Sequence, residues 1–196
     1  MEPQMNDVAV IRRAQAGDEH AARELFEVHQ LRTYRLALGL LGDPADAEEV
    51  AQDALTYALL NIYRYNPDLS SFSTWLHTIT VSRARDKRRR KILPSISLTQ
   101  WMGIGNQLRD HSPGPEAIAL RGEAEGNLLG ALNQLSPKLR EAVVLRFYAD
   151  CTYKEMGDIM GCSLNTARSR LRLAIQKLRA NLGDDTVRWL VTETIR

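Results

Sequence analysis

Apolar residues along this chain recur at intervals of three and four, the period of a helix that packs on one side. From about Asp18 to Leu41 the row Ala22, Leu25, Phe26, Leu36, Ala37 and Leu40 keeps that spacing. A second row, Leu31, Tyr34, Leu38 and Leu41, widens the stripe to what a helix inside a bundle requires. Gly42, Asp43 and Pro44 then read as a helix stop, a cap and a first helical position. The next helix buries Ala47, Val50, Ala51, Ala54, Leu55, Ala58 and Ile62. Asn66-Pro67-Asp68 forms a turn, and Ser71 or Ser73 caps a further helix that carries Phe72, Trp75, Leu76 and Ile79. Periodicity fades from Ile92 to Pro115, where Pro94, Gly103, Gly105, Pro113 and Gly114 fall. Such a stretch is too long for a connection inside one compact domain.

Helical pattern resumes with Leu128, Leu129, Leu132 and Leu135. A helix capped by Ser136 follows, with Pro137 behind it. Thr152 and Glu155 have the spacing of a capping box for a short helix holding Met156 and Ile159. Gly161 ends that helix and Ser163 caps a last one, where Leu164, Ala167, Leu171, Ala174, Ile175, Leu178 and Leu182 form an apolar row. The pattern predicts an all-α fold of two small helical domains, residues 18–91 and 123–183, on a flexible linker, 92–122. An N-terminal extension, 1–17, and a tail, 184–196, complete the 196 residues.

Charge changes the picture because it is sorted. The formal net charge is only +2, yet between Leu36 and Tyr63 no Lys or Arg occurs among Asp43, Asp46, Glu48, Glu49 and Asp53. From Ser163 to Ala180 no acid accompanies Arg168, Arg170, Arg172, Lys177 and Arg179. The helix that begins near Phe72 ends in Arg83, Arg85, Lys87, Arg88, Arg89, Arg90 and Lys91. Some of the acids favour a helix N-terminus and some of the bases are ordinary solvated faces. The segregation as a whole points to two kinds of partner, a protein and a polyanion.

Short helix, glycine turn and long helix with a basic outer face make a helix-turn-helix, whose second helix enters the DNA major groove. Asn165, Arg168, Ser169 and Arg172 share its outward face. Arginine can bind guanine, and asparagine adenine, through paired hydrogen bonds. Arg170, Lys177 and Arg179 are placed to meet phosphates. In the first half, Tyr65, Phe72 and Trp75 stand beside the loop residues Asn66, Asp68, Ser70 and Ser71 and then beside cations. Single-stranded nucleic acid calls for that set, although Trp75 and Ile79 also fit a core.

These segments resemble the extracytoplasmic-function (ECF) group of bacterial RNA polymerase sigma factors of the sigma-70 family. "DPADAEEVAQDAL" is similar to the polymerase-binding helix, "SSFSTWLHTITVSRARDKRRR" to the segment that melts and reads the promoter −10 element, and the segment from Leu135 to Arg179 to the domain that reads the −35 element. Three departures bear on promoter preference: Asn165-Thr166-Ala167 replaces a Gly-Thr-Val run, Leu59 a frequent Trp, and Ser82 a frequent Asn. The resemblance implies that 18–91 is sigma region 2 and 123–183 sigma region 4. It implies binding of core RNA polymerase by Asp46, Glu49, Gln52 and Asp53, and by Leu139, Val143 and the neighbouring Phe147. It implies −10 contacts by Tyr65, Asn66, Asp68, Ser71, Phe72, Ser73, Trp75, Arg83, Asp86, Arg88 and Arg89, and −35 contacts by Ser163, Asn165, Thr166, Arg168, Ser169, Arg170, Arg172 and Lys177. Promoter DNA, core polymerase and an anti-sigma factor are the expected partners.

Other classes are disfavoured. His20, His29, His77 and His111 are scattered without a His-x-x-x-His pair, and neither a nucleophile motif nor a glycine-rich phosphate loop occurs, so neither enzyme nor cofactor nor metal site is expected. Cys151 and Cys162 fit no metal or redox spacing and read as buried thiols; His29 reads as a surface or half-buried residue. The polar N-terminus and the absence of an apolar run of about 20 residues suggest a cytoplasmic protein without membrane insertion. A free-standing helix-turn-helix regulator and an RNA-binding adaptor are the rivals.

Overall fold

The structure, a computed structural model, describes residues 4–92 and 123–182. The linker expected at 92–122, apart from its first residue, and the tail at 184–196 lie outside the described residues. The described residues form helices α1 (Gln4–Gln15), α2 (Glu19–Leu41), α3 (Pro44–Leu60), α4 (Phe72–Ile92), α5 (Glu123–Asn133), α6 (Pro137–Phe147), α7 (Tyr153–Met160) and α8 (Leu164–Leu182), with a 3-10 turn at Ile62–Arg64.

Local chemistry sets the helix ends. Asp18 caps α2 by accepting from the amides of His20 at 2.9 Å and Ala21 at 3.2 Å. Its other oxygen accepts from Arg13 at 2.8 and 2.6 Å, and that bond, ahead of the amides, holds the carboxyl below its usual pKa. Gly42 stops α2 with φ 74°, a left-handed conformation that glycine adopts without strain. Asp43 then accepts from the Asp46 amide at 2.8 Å to start α3. The α1 helix falls in what the sequence suggested was a mere extension; it buries Val10, Ile11 and Ala14 against the first module.

Two cores result, and they do not follow the two modules. One lies within the first module and joins α1, the N-terminal half of α2, the end of α3 and the start of α4 through Leu25, Leu55, Phe72 and Leu76. The other unites the C-terminal half of α2 (Leu36, Leu38, Leu40), Ala47 and Val50 of α3, and Val81 and Ala84 of α4 with the whole of the second module. The double apolar stripe of α2 explains this. Ala22, Leu25 and Phe26 of its first row belong to the first core. Leu36, Ala37 and Leu40 of that row join Leu38 of the second row in the shared core, with Tyr34 and Leu41 packed against it, while Leu31 remains 53% exposed.

Polar contacts close the same seam. Arg85 of α4 donates to both oxygens of Glu141 in α6, at 3.0 and 2.7 Å, and Glu141 is buried. Thr74 at the start of α4 donates to Glu155 of α7 at 2.6 Å. Arg140 of α6 donates to the Leu132 carbonyl at 2.7 Å and, with Arg88 of α4 at 3.3 Å, to the Leu40 carbonyl at 3.1 Å. Those carbonyls end α5 and α2, where helices leave acceptors unfilled and favour positive charge. Gly39 allows the close approach: a Cβ there would sit 3.0 Å from Val144 of α6. Among the described residues no helix is long and apolar enough to cross a membrane.

Candidate nucleic-acid and polymerase interfaces

The basic run of α4 divides by the partners its side chains find. Lys87 donates to Glu49 at 2.5 Å and pairs with Asp46 at 3.5 Å, and Lys91 pairs with Asp46 as well. The Glu49 bond is the main reason the Lys87 pKa is raised. Arg83 lies 4.8 Å over the Tyr57 ring, Arg85 and Arg88 serve the seam, and Arg89 pairs with Asp86 at 3.0 Å. Burial lowers the Arg88 pKa and, with Arg88 as neighbour, the Arg140 pKa to about 10. At the end of α4, Arg89, Arg90 and Lys91 stand exposed, Arg89 and Lys91 while paired with Asp86 and Asp46.

The loop before α4 keeps its aromatics inside. Tyr65 and Phe72 are buried edge to face at 5.5 Å, Phe72 also meets His29 at 5.0 Å, and Trp75 lies half-buried against both. Tyr65 donates through its hydroxyl to the Ser70 carbonyl at 3.0 Å, so its polar end shapes the loop. Asn66 accepts from the Asp68 amide at 2.9 Å, and Ser71 accepts from the Thr74 amide at 3.1 Å to cap α4. Asn66, Asp68 and Ser71 are exposed and Ser73 is half-buried. Tyr63 and Leu69, not singled out in the sequence, are 70% and 83% exposed on either side of this turn. Their signal was positional: an aromatic and a leucine flanking Asn-Pro-Asp, outside any helical row.

The helix-turn-helix is built tightly. Thr152 and Glu155 complete a capping box on α7, and Gly161 turns the chain at φ 64°. Gly157 faces this turn so closely that a Cβ would lie 2.8 Å from the Cys162 carbonyl. Ser163 accepts from the Thr166 amide at 3.2 Å to start α8. Ala167, Leu171, Ala174 and Leu178 are buried as the apolar row requires; Leu164, counted in that row, is 41% exposed. Asn165, Arg168, Ser169, Arg172 and Lys177 are exposed, and Thr166 is half-buried. Arg170 is half-buried and donates to Cys162 at 3.4 Å, off the outward face. Arg168 lies 5.1 Å over the Tyr153 ring, beside a groove of about 420 Å³ lined by Arg172, Ile175 and Arg179.

The acidic face of α3 presents Glu48, Glu49, Gln52 and Asp53 to solvent, with Asp46 half-covered by the lysines of α4. Leu139 is half-buried, whereas Val143 and Phe147 are buried in the shared core, so they are not surface residues in this arrangement. Buried between the modules, His77 has its pKa pushed down to about 4 by burial, with Nδ1 3.7 Å from Cys151. Burial also pushes the Cys151 thiol up to about 12. Cys162, expected to be buried, is half-exposed, and His29, expected nearer the surface, is buried. Among the described residues no three His, Cys, Asp or Glu side chains group as a metal site would need.

Residues 25–92 match the family model of sigma-70 region 2, and residues 125–178 match that of sigma-70 region 4. The ECF RNA polymerase sigma factor SigE of Mycolicibacterium smegmatis is 33% identical over 160 residues, spanning 82% of this chain and 61% of that one. The RNA polymerase sigma-H factor of Pseudomonas aeruginosa is 30% identical over 183 residues, 89% of this chain and 94% of that one. In fold, the chain is similar to the sigma factor RpoE solved in complex with the anti-sigma factor NepR from Bartonella quintana. That likeness has a TM-score of 0.65 at 22% identity and covers 83% of this chain and 97% of that one. Two regions matched in chain order, and a relative matched over nearly its whole length, lead to one conclusion: the chain belongs to the sigma-70 family of RNA polymerase sigma factors, in its ECF group.

Proposed function

We propose that this chain directs core RNA polymerase to promoters by offering the enzyme the acidic face of α3 and the DNA two basic surfaces, the end of α4 and the outer face of α8. The observation that carries this reading is the sorting of exposed charge. Glu48, Glu49 and Asp53 point outward from one helix; Arg89, Arg90 and Lys91, then Arg168, Arg172 and Lys177, point outward from two others. Duplex DNA carries one negative charge per roughly 1.7 Å of its axis, so the acid-free outer face of α8 suits it and the acidic face of α3 does not. The end of α4 suits it as well, since Arg89, Arg90 and Lys91 outnumber the paired Asp86 and Asp46.

Each surface has its own task. Asn66, Asp68 and Ser71 offer hydrogen-bonding groups on the turn before α4, where an extruded −10 base would be held, with Tyr63 and Leu69 as exposed apolar neighbours. Tyr65, Phe72 and Trp75 support that turn from within rather than stacking on bases. Asn165, Arg168 and Arg172 read base edges of the −35 element, and Lys177 neutralises phosphate. The chain contributes binding energy, not bond-making: capture of an unstacked base supplies the few kcal/mol that unpairing costs. Docking on polymerase through Val143 and Phe147 requires the modules to part, since the shared core covers both. A protein inhibitor of the anti-sigma type belongs to this reading, because the RpoE chain of similar fold was solved bound to one.

The test is to mix the purified chain with core polymerase and measure association and promoter-directed transcription on DNA from its own host. Stable association and defined start sites are expected. Binding to duplex DNA alone, with no association with core, overturns the reading in favour of a free-standing regulator.

A further inference from the structure

We propose that Tyr153 is a positioning residue for −35 readout, its ring holding the guanidinium of Arg168 in place before DNA arrives. The proposal rests on the reading of α8 as the helix that enters the major groove. The Arg168 guanidinium carbon lies 5.1 Å from the centre of the Tyr153 ring, and the two residues belong to different helices. An exposed arginine otherwise samples many rotamers and loses that freedom on binding.

The ring itself is braced. Tyr153 is the first residue of α7 and lies within the capping box in which Thr152 and Glu155 exchange hydrogen bonds at 2.8 and 3.3 Å. Arg146 lies 6.0 Å over the same ring, donates to the Cys151 carbonyl at 3.1 Å and pairs with Asp150 at 3.4 Å. Two helix ends and their connecting loop thus fix where the ring stands.

How Arg168 is held matters for what it can do. A guanidinium clamped by a carboxylate gives up its N–H donors to that partner, as Arg85 does to Glu141. Attraction to an aromatic face acts through the charge and calls for no acceptor, so the donors stay available for guanine O6 and N7. Arg172, one turn further along α8, lines the same groove as Tyr153 and Arg168 but is not stacked on an aromatic ring among the described residues, and serves as an internal control.

The experiment measures the affinity of holoenzyme, core polymerase plus the full chain, for upstream duplexes that differ at single base pairs. Arg168→Ala identifies the base pair that Arg168 reads. Tyr153→Leu is expected to lower affinity for the preferred base there by about 2- to 5-fold and to reduce discrimination at that position by a similar factor. Discrimination at the position lost in Arg172→Ala should stay unchanged. Tyr153→Phe keeps the ring and should behave as the parent chain, and adding Tyr153→Leu to Arg168→Ala should cost nothing more. Full discrimination in Tyr153→Leu, with a clear loss in Arg168→Ala, overturns the positioning role alone. No loss of discrimination in Arg168→Ala overturns base reading by that residue and the positioning role with it. A like drop on every sequence, at the Arg172 position too, makes Tyr153 a purely structural residue and overturns the proposal.

Discussion

Acid should loosen the seam between the two modules, and His77 sets the size of the effect. This residue is 9% exposed, with its ring beside Cys151 and its helix packed on the second module. Burial lowers its pKa from 6.5 to about 4; the electrostatic influence of His29 and Arg32 pushes the same way and Glu155 opposes it. The folded protein therefore keeps His77 neutral where the unfolded chain takes up a proton. Stability from this source is complete above about pH 6.5 and declines as pH falls toward about 4. The full interval corresponds to about 3 kcal/mol, of which about 2 kcal/mol is lost by pH 5. Glu155 acts in the same direction at lower pH. Burial raises its pKa, but the bonds from Thr74 and Thr152 outweigh that and hold it below the usual value. Urea unfolding at pH 7.5 and pH 5, for the parent and His77→Gln, isolates the histidine because His29 is present in both. The variant should lose about 2 kcal/mol less between the two conditions. Equal losses would refute the account of a neutral, buried His77.

Further outcomes follow from the seam, the turn and the acidic face. Glu141→Ala removes the acceptor of both Arg85 bonds across the modules; stability should fall by about 1–3 kcal/mol, with an increase in radius of gyration by small-angle scattering. Gly157→Ala places a methyl group against the Cys162 carbonyl, which is backbone and cannot swing away. Thermal unfolding should show a loss of about 1–3 kcal/mol, accompanied by weaker binding to −35 duplex. Asp53→Arg reverses an exposed charge on α3, so association with core polymerase should weaken while stability stays within about 0.5 kcal/mol.

Helix ends were legible in the sequence because capping is local chemistry. Asp43 with Pro44 and Thr152 with Glu155 each announce a start that the side chain then caps. Ser136, expected to cap α6, precedes Pro137 without a side-chain cap bond and leaves the start to the proline. The α1 helix was missed because Val10, Ile11 and Ala14 supply one short apolar face within a polar stretch. The burial of His29, Thr80 and His77 could not be anticipated, since their cover comes from other helices. Composition made the modules look independent, whereas Arg85–Glu141 and Thr74–Glu155 join residues 56 and 81 positions apart. Identifying the basic run of α4 did not say which cations were outward; Lys87, Arg85 and Arg88 turn to partners within the chain. The outward face of α8, in contrast, followed from helical period and the position of its apolar row.

The second row of α2 has a thermodynamic corollary. If the halves of the molecule separate, Tyr34, Leu38 and Leu41 meet water together with their counterparts on α6. Hydration of that greasy strip resists spreading of the chain, so an extended form remains scarce until some other surface covers the strip. Any ligand that selects the extended form binds more weakly by the fraction of molecules already extended. Small changes at Leu38 or Val144 could therefore tune how readily the chain is recruited without touching a residue that meets DNA or enzyme.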